Sequence, residues 1–136
     1  MSGSRGTNHE AAVTDALSSY EVALNASNTQ AVMPLYTDDG VFMAPNNQSA
    51  VGKAAVHKAY DAVFKAITLK VKFTIAELVV MSPNWAFART NSAGTQKIIA
   101  SGVTSVEANQ ELFIFKKDDD GEWRIARYSF STTNPM

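Results

Sequence analysis

The sequence predicts an α+β domain in which three N-terminal helices pack on one face of a strongly curved antiparallel sheet and enclose a pocket. In the first half of the chain, apolar residues recur at helical spacing. After residue 68 the period changes to two, and several long strands follow one another. Helices followed by consecutive strands favour an α+β meander over a parallel sheet. The 136 residues are enough for one domain with its own core.

The three helices are predicted from apolar stripes and the residues that interrupt them. The stripe of the first helix has spacings of four, three and four residues, at Val13, Leu17, Tyr20 and Leu24. Residues 25–28 break this pattern, and a short second helix is predicted over residues 31–35. Residues 36–40 are then predicted as a turn and residues 41–44 as a brief extended segment. The third helix is predicted from Gly52 to about residue 67.

Four strands are predicted over residues 69–81, 85–97, 103–116 and 123–130. In the first strand the odd residues are mostly apolar and the early even residues are Lys or Thr, so the odd residues face inward. The second strand carries its large side chains, Trp85 and Phe87, at odd positions. Large apolar side chains are expected to face the core, so odd residues are predicted inward there too.

Composition limits the classes of function. The net charge of −1 favours no nucleic-acid partner, and no apolar stretch reaches the roughly 20 residues that span a membrane. The absence of cysteine excludes disulfides, and with only two histidines, far apart, no metal is predicted. The sequence contains no phosphate-binding loop, so no cofactor is predicted. A cytoplasmic protein is expected, with a single domain over residues 8–134 and a flexible segment over residues 1–7.

Charged residues fall on the strand positions that are predicted to face inward. If the turns are short, Glu77 lies opposite Arg89 and Glu111 opposite Arg127, with Asn109 opposite Ser129. A middle turn centred near residue 100 would also place Arg89 opposite Glu111. The prediction is a row of alternating charge across four strands: Glu77, Arg89, Glu111 and Arg127.

Two interpretations of this row remain open. Paired charges offset much of the cost of burial, so the row is either a polar ladder that fixes the register or a pocket floor that binds a polar ligand group. Glu111 is the natural general base by position. The neighbouring arginines are expected to lower its pKa, which favours a structural anion.

Several segments resemble a known superfamily. Residues 35–45 (LYTDDGVFMAP), with Gly52-Lys53 opening a helix, resemble the NTF2-like superfamily, also described as SnoaL-like or as a cystatin-like α+β cone. Residues 109–115 (NQELFIF) and 120–128 (DGEWRIARY) are similar to its SgcJ/EcaC branch, a DUF4440-type group. The resemblance covers about residues 8–134. It implies a conical pocket between a long helix and the concave sheet, and frequently a homodimer packed through the sheet surface.

The resemblance also bears on chemistry. The best-known enzymes of this superfamily use a pocket Asp or His as base, with Tyr or Asp donors to a carbonyl oxygen. Many relatives carry His near the end of the last strand, where this chain has Arg127 and Ser129 at the positions predicted inward. Besides Glu111, the catalytic candidates are Asp39 and His57. Asp39 is equally explained as a turn residue, and His57 is equally explained as a surface residue.

The leading functional prediction is a small-molecule-binding protein. Its ligand is expected to be mostly apolar with a carbonyl or carboxylate, such as a polyketide-like or aromatic metabolite, anchored by Arg89 and Arg127. Aromatic residues are predicted to line the pocket or pack in the core: Tyr36, Phe42, Tyr60, Phe64, Trp85, Phe113 and Trp123.

Two alternatives remain for the function. One is an isomerase, cyclase or hydrolase acting in the same pocket, and the other is a dimerising structural module whose pocket is vestigial. A homodimer is predicted through an apolar outer sheet face, formed by even residues of the last two strands: Ala108, Leu112, Ile114, Ala126, Tyr128 and Phe130.

Overall fold

The computed structural model describes residues 2–135, with residues 2–8 described by their backbone alone. The described residues form three α-helices and six strands, with a short 3-10 turn at Met33–Leu35, and the third helix lies between the second and third strands. The helices are α1 (Ser2–Asn25), α2 (Thr29–Val32) and α3 (Lys53–Ala66). The strands are β1 (Tyr36–Met43), β2 (Ala50–Val51), β3 (Ile67–Ser82), β4 (Trp85–Ile98), β5 (Thr104–Lys117) and β6 (Trp123–Thr132). The predicted flexible segment falls on residues whose side chains lie outside the described part, so it stays a prediction.

The strands form one sheet in the order β2-β1-β6-β5-β4-β3, and the helices cover its inner face. Strands β3 to β6 form the predicted antiparallel meander. The α+β fold class, three helices on a curved sheet, is therefore confirmed. The predicted turn over residues 36–40 is wrong, because these residues belong to β1, which pairs in parallel with β6.

The core lies between the helices and the inner face of the sheet. The predicted stripe of α1 is buried, and Tyr20, Tyr60 and Phe113 are each at most 1% exposed. Side chains of α1 also bind the outer edge of β3. Asn25 donates to the Val71 carbonyl over 2.8 Å and accepts from the Val71 amide over 2.9 Å. These bonds hold α1 across the edge of the sheet and occupy backbone groups that an edge strand leaves unpaired.

The sheet curves strongly where β3 crosses β4. A Cβ added to Gly94 would lie 1.9 Å from the carbonyl oxygen of Lys70, so only glycine permits this close approach. In residues 2–135, no helix has both the length and the apolar character that crossing a bilayer requires.

Register shifts in β3 and β6 change which of the predicted charged residues face inward. In β3 the register shifts around Ala76, and in β6 it shifts around Ala126. Each extra residue moves all later side chains of that strand to the opposite face and bends the strand. After Ala126, Tyr128 is buried at 3% exposure while Arg127 lies on the outer face. The predictions that Arg127 and Ser129 face inward, and that Ala126, Tyr128 and Phe130 cover the outer face, are therefore wrong.

The inward face of β4 is also the reverse of the prediction. Its even residues Ala86, Ala88, Thr90 and Ser92 are buried, and Trp85 is 40% exposed. The bulge at Ala76 places Glu77 on the outer face. Consequently Glu77 and Arg89 do pair, with 2.7 Å between Oε1 and Nε, but both lie outside.

The predicted charge row does not form. Glu111 faces inward opposite Thr90 and Phe130, and Arg89 lies opposite Leu112. The β4–β5 pairing differs from the prediction by one residue, which is enough to separate the side chains of Arg89 and Glu111. Arg127 lies opposite Ile114 for two reasons. The β5–β6 turn is tighter than assumed, with Lys117 already paired to Trp123, and the bulge at Ala126 shifts the register by one more residue.

Candidate functional site

A cavity of about 290 Å³ lies between α1, α3 and the concave face of the sheet. Its apolar lining includes Leu24, Phe42, Val63, Ile67, Leu69, Val71 and Phe130. Its polar lining includes Tyr20, Tyr60, Ser92, Gln96, Glu107, Asn109, Glu111 and Tyr128. An apolar concave space with a few convergent polar groups is the usual form of a small-molecule site.

Glu111 is the buried carboxyl group of this cavity. Strand β5 places it on the inner face at 5% exposure. Its Oε1 accepts a hydrogen bond from Thr90 Oγ1 over 2.6 Å, and its Oε2 accepts one from Ser92 Oγ over 2.5 Å. Among the side chains of residues 9–135, no cation pairs with it. Burial therefore raises the pKa of Glu111, while the two hydroxyl groups oppose the rise and the charge of Glu107 adds to it.

This environment corrects the prediction for Glu111. Neighbouring arginines were expected to lower its pKa, but the side chains of Arg89 and Arg127 lie on the other face of the sheet. A carboxyl group held in an apolar cavity without a counterion, and with a raised pKa, has the properties of a general acid or base.

Three tyrosine hydroxyl groups form a chain beside the cavity. The Tyr60 hydroxyl lies 2.7 Å from that of Tyr20 and 2.6 Å from that of Tyr36. Burial raises the pKa of all three, so each keeps its proton at neutral pH. Two bonds use two of the three protons, so one of the three hydroxyl groups has a proton left to donate. Tyr20 lines the cavity, and Tyr128 is close enough for the two hydroxyl groups to affect each other's pKa.

Nearly parallel aromatic rings shape one wall. Phe42 stacks on Tyr60 with 4.6 Å between ring centroids, and it lies within 20° of parallel to Tyr128 and Phe130 as well. Phe113 stacks behind Tyr128 at 4.1 Å and 11°. Aromatic rings prefer offset or edge-to-face partners, so such a wall favours a flat apolar guest.

The structure brings some of the predicted binding residues together. Phe42, Tyr60, Asn109 and Glu111 lie on the cavity wall. Behind the wall, Tyr36 bonds to Tyr60, Phe113 stacks on Tyr128, and Phe64 packs on Tyr60 with 5.9 Å between centroids. The positions are observed, and the ligand-binding roles stay predictions.

Other predicted residues lie elsewhere. Glu77, Arg89, Arg127 and Ser129 lie on the outer face, as does Trp85, whose ring lies under Lys116 Nζ at 5.8 Å. Trp123 is buried beside the β5–β6 turn, outside the cavity lining, with its ring centroid 5.5 Å from that of His9. The prediction for Trp85 was wrong because it assumed that a large aromatic side chain faces inward.

Asp39 and His57 are separate from the cavity. Asp39 is exposed on β1, and a hydrogen bond from the Thr37 hydroxyl lowers its pKa. His57 Nδ1 lies 3.2 Å from Asp61 Oδ2, one helical turn away on α3. Neither side chain lines the space that contains Glu111. Among residues 2–135, no three His, Asp or Glu side chains come close enough to hold a metal ion.

Several cavity residues were not predicted as site residues, among them Ser92, Gln96, Glu107 and Tyr128. The alternation of small and polar even residues along β4 was a signal, since Thr90 and Ser92 continue the face that begins at Ala86. No comparable signal marked Tyr128, because the bulge at Ala126 depends on how β6 pairs.

Comparisons with known proteins agree with this geometry. A family model described as the SnoaL-like domain matches residues 17–128. A ketosteroid isomerase-like protein from Erwinia carotovora atroseptica SCRI1043 is 38% identical, with 92% of this chain and 96% of that chain covered and a TM-score of 0.89.

Two more distant structures share the fold. A nuclear transport factor 2 (NTF2-like) superfamily protein from Salmonella enterica serovar Typhimurium is 17% identical, with 91% and 90% of the two chains covered and a TM-score of 0.79. LinA is 14% identical, with 98% and 92% covered and a TM-score of 0.86. No curated protein matches the chain. Because the family model covers most of the sequence and the Erwinia protein is 38% identical, this chain belongs to the SnoaL-like domain family.

Proposed function

We propose that the cavity binds a small, flat, mostly apolar molecule that carries a carbonyl oxygen. The observation that carries this proposal is an apolar cavity of about 290 Å³ with a buried carboxyl group and tyrosine hydroxyl groups on its walls. The aromatic wall accommodates the flat body of the ligand. A hydroxyl of the chain that lines the cavity, at Tyr20 or Tyr60, or the hydroxyl of Tyr128 donates to the carbonyl oxygen.

A second candidate function is proton transfer on such a ligand, and the raised pKa of Glu111 favours it. The Glu111 carboxylate takes a proton from the carbon next to the carbonyl, and the electron pair of that C–H bond moves toward the carbonyl oxygen. The tyrosine donor stabilises the oxygen. If the ketone has a β,γ double bond, Glu111 then returns the proton to the γ carbon while the double bond moves into conjugation with the carbonyl, so atoms and charge balance in an isomerisation. The description of the Erwinia relative as ketosteroid isomerase-like supports this class of reaction.

Glu111→Gln separates binding from proton transfer. Glutamine keeps the size of the side chain and can bond to both Thr90 and Ser92, but it cannot accept the proton. The probe is 2-acetylnaphthalene, titrated by calorimetry for binding and followed by proton NMR in D₂O for exchange at its methyl group. We expect the variant to bind the ketone within a few-fold of the wild type and to lose exchange by roughly 100-fold, the effect of a general base.

Asp39→Asn is the matched control, because it neutralises a carboxylate outside the cavity. Equal exchange rates in wild type and Glu111→Gln would refute proton transfer by Glu111. Failure of the wild-type protein to bind the ketone would refute the binding proposal and favour a structural module with a vestigial pocket.

We also propose a homodimer through the outer sheet face. Val79, Trp85 and Leu112 are 37%, 40% and 43% exposed there, and the half-buried Phe87 and Ile114 lie opposite each other in the ladder. Apolar side chains in such number favour a covered surface. The face differs from the predicted one because Ala126, Tyr128 and Phe130 are not part of it.

Assignment to the SgcJ/EcaC (DUF4440-type) branch and a cytoplasmic location are proposals as well. The branch assignment rests on the segments at residues 109–115 and 120–128. Cell fractionation tests the location.

A further inference from the structure

The charged side chains that line the cavity are all acidic. Glu107 and Glu111 are among its lining residues, whereas no Lys, Arg or His of the described residues is. The arginines that were predicted to anchor a carboxylate lie on the opposite face of the sheet. A negatively charged ligand would therefore enter a space that offers it carboxyl groups and no counterion.

Glu107 lies toward the open end of this cavity. On the inner face of β5, the odd residues become steadily more buried along the strand. Glu107 is half-buried, Asn109 is 9% exposed, Glu111 is 5% exposed, and Phe113 is fully buried. Glu107 is therefore nearer to solvent than Glu111 on the same wall of the cavity. The negative charge of Glu107 also interacts with Glu111 and helps to raise the pKa of Glu111.

We propose that the cavity selects neutral or cationic flat molecules against anionic ones, and that Glu107 is the residue that determines this specificity. The inference rests on the proposed binding function and narrows its ligand class: the carbonyl of a ketone, aldehyde or amide fits, and a carboxylate does not. Like charges brought together where water is largely excluded repel more strongly than in bulk water, and this repulsion discriminates between partners. Among residues 9–135, whose side chains the structure describes, Glu107 makes no ion pair that would cancel its charge.

Three probes of nearly the same shape test the inference: neutral 2-naphthamide, anionic 2-naphthoate and cationic 2-naphthylmethylammonium. Each is titrated by calorimetry at neutral pH into wild type, Glu107→Gln and Glu122→Gln. The last is the matched control, because Glu122 is an exposed carboxylate in the turn before β6, outside the cavity lining. Low ionic strength keeps the effect of the partly exposed Glu107 from being screened.

We expect wild type to bind the amide at least about tenfold more tightly than the carboxylate. In Glu107→Gln the carboxylate should gain about three- to tenfold in affinity and the ammonium should lose affinity, while the amide changes by less than about twofold. Glu122→Gln should behave as wild type.

Two results would overturn the inference while leaving the binding function intact. One is a wild-type protein that binds the carboxylate as tightly as the amide, and the other is an unchanged affinity ratio in Glu107→Gln. If neither the amide nor 2-acetylnaphthalene binds to the wild type, the proposed binding function fails and the selectivity falls with it.

Discussion

Replacing Tyr60 with phenylalanine tests the hydroxyl chain beside the cavity. The Tyr60 hydroxyl is the middle member and makes two bonds, of 2.7 and 2.6 Å, to Tyr20 and Tyr36. The substitution keeps the ring, which stacks on Phe42, and removes the oxygen alone. Both neighbours then lose a partner inside the protein, where Tyr20 is 1% exposed and Tyr36 is fully buried.

The magnitude follows from the number of bonds. A buried hydrogen bond contributes about 0.5–1.5 kcal/mol, and a stranded buried partner adds to the loss. Tyr60→Phe should therefore lower the free energy of unfolding by about 2–4 kcal/mol. Tyr36→Phe removes one bond and should cost about 1 kcal/mol. A domain with about 5–15 kcal/mol of stability shows such a difference clearly.

Urea unfolding followed by the fluorescence of Trp85 and Trp123 measures these changes. An unchanged dependence of the free energy of unfolding on urea concentration shows that variant and wild type can be compared. The variant with phenylalanine at positions 20, 36 and 60 is the control. It strands no hydroxyl of the chain, so it should be less destabilised than the sum of the three single changes. If Tyr60→Phe were no more destabilising than Tyr36→Phe, the assignment of Tyr60 as the central member of the chain would be refuted.

Four further predictions concern the rest of the molecule. Burial raises the folded-state pKa of Glu111 above its ordinary 4.5, so the free energy of unfolding should fall as pH rises from about 4.5 through the raised pKa. Urea unfolding at several pH values should show this decrease in the wild type and not in Glu111→Gln. Arg127→Met should cost less than about 1 kcal/mol and leave ketone binding unchanged, because its side-chain hydrogen bonds to residues 9–135 go to backbone carbonyls outside the cavity. A sharp loss of binding would contradict the observed register. Gly94→Ala should destabilise the fold by about 3 kcal/mol in the same assay, because its Cβ would strike the carbonyl oxygen of Lys70, and a neutral effect would argue against the close crossing of β3 and β4. Leu112→Glu should convert the proposed dimer to a monomer in sedimentation, whereas a wild-type protein that is already monomeric at micromolar concentration would refute the dimer.

Patterns along the chain determined the helices, the strands and the fold class. The stripe that includes Val13 and Leu17 marked α1, and the change of period after residue 68 marked the meander, because both depend on the spacing of apolar side chains within one element. The pairing of Glu77 with Arg89 could also be predicted from the sequence, because a short turn fixes the register of the two strands that it joins. Glu111 was placed on the inner face for the same reason, as strand β5 is regular there.

The tertiary structure decided which faces the other charged and aromatic side chains take. One extra residue at Ala76 and another at Ala126 reverse the faces that follow, and a bulge forms through pairing with a neighbouring strand, so no pattern within the strand itself reveals it. The tyrosine chain likewise joins α1, β1 and α3, which are distant in the sequence and meet only when the helices pack on the curved sheet. The environment of Glu111 follows from both facts, because the faces of its neighbours, and not its own position in the sequence, determine whether its carboxyl group meets an arginine or an apolar cavity.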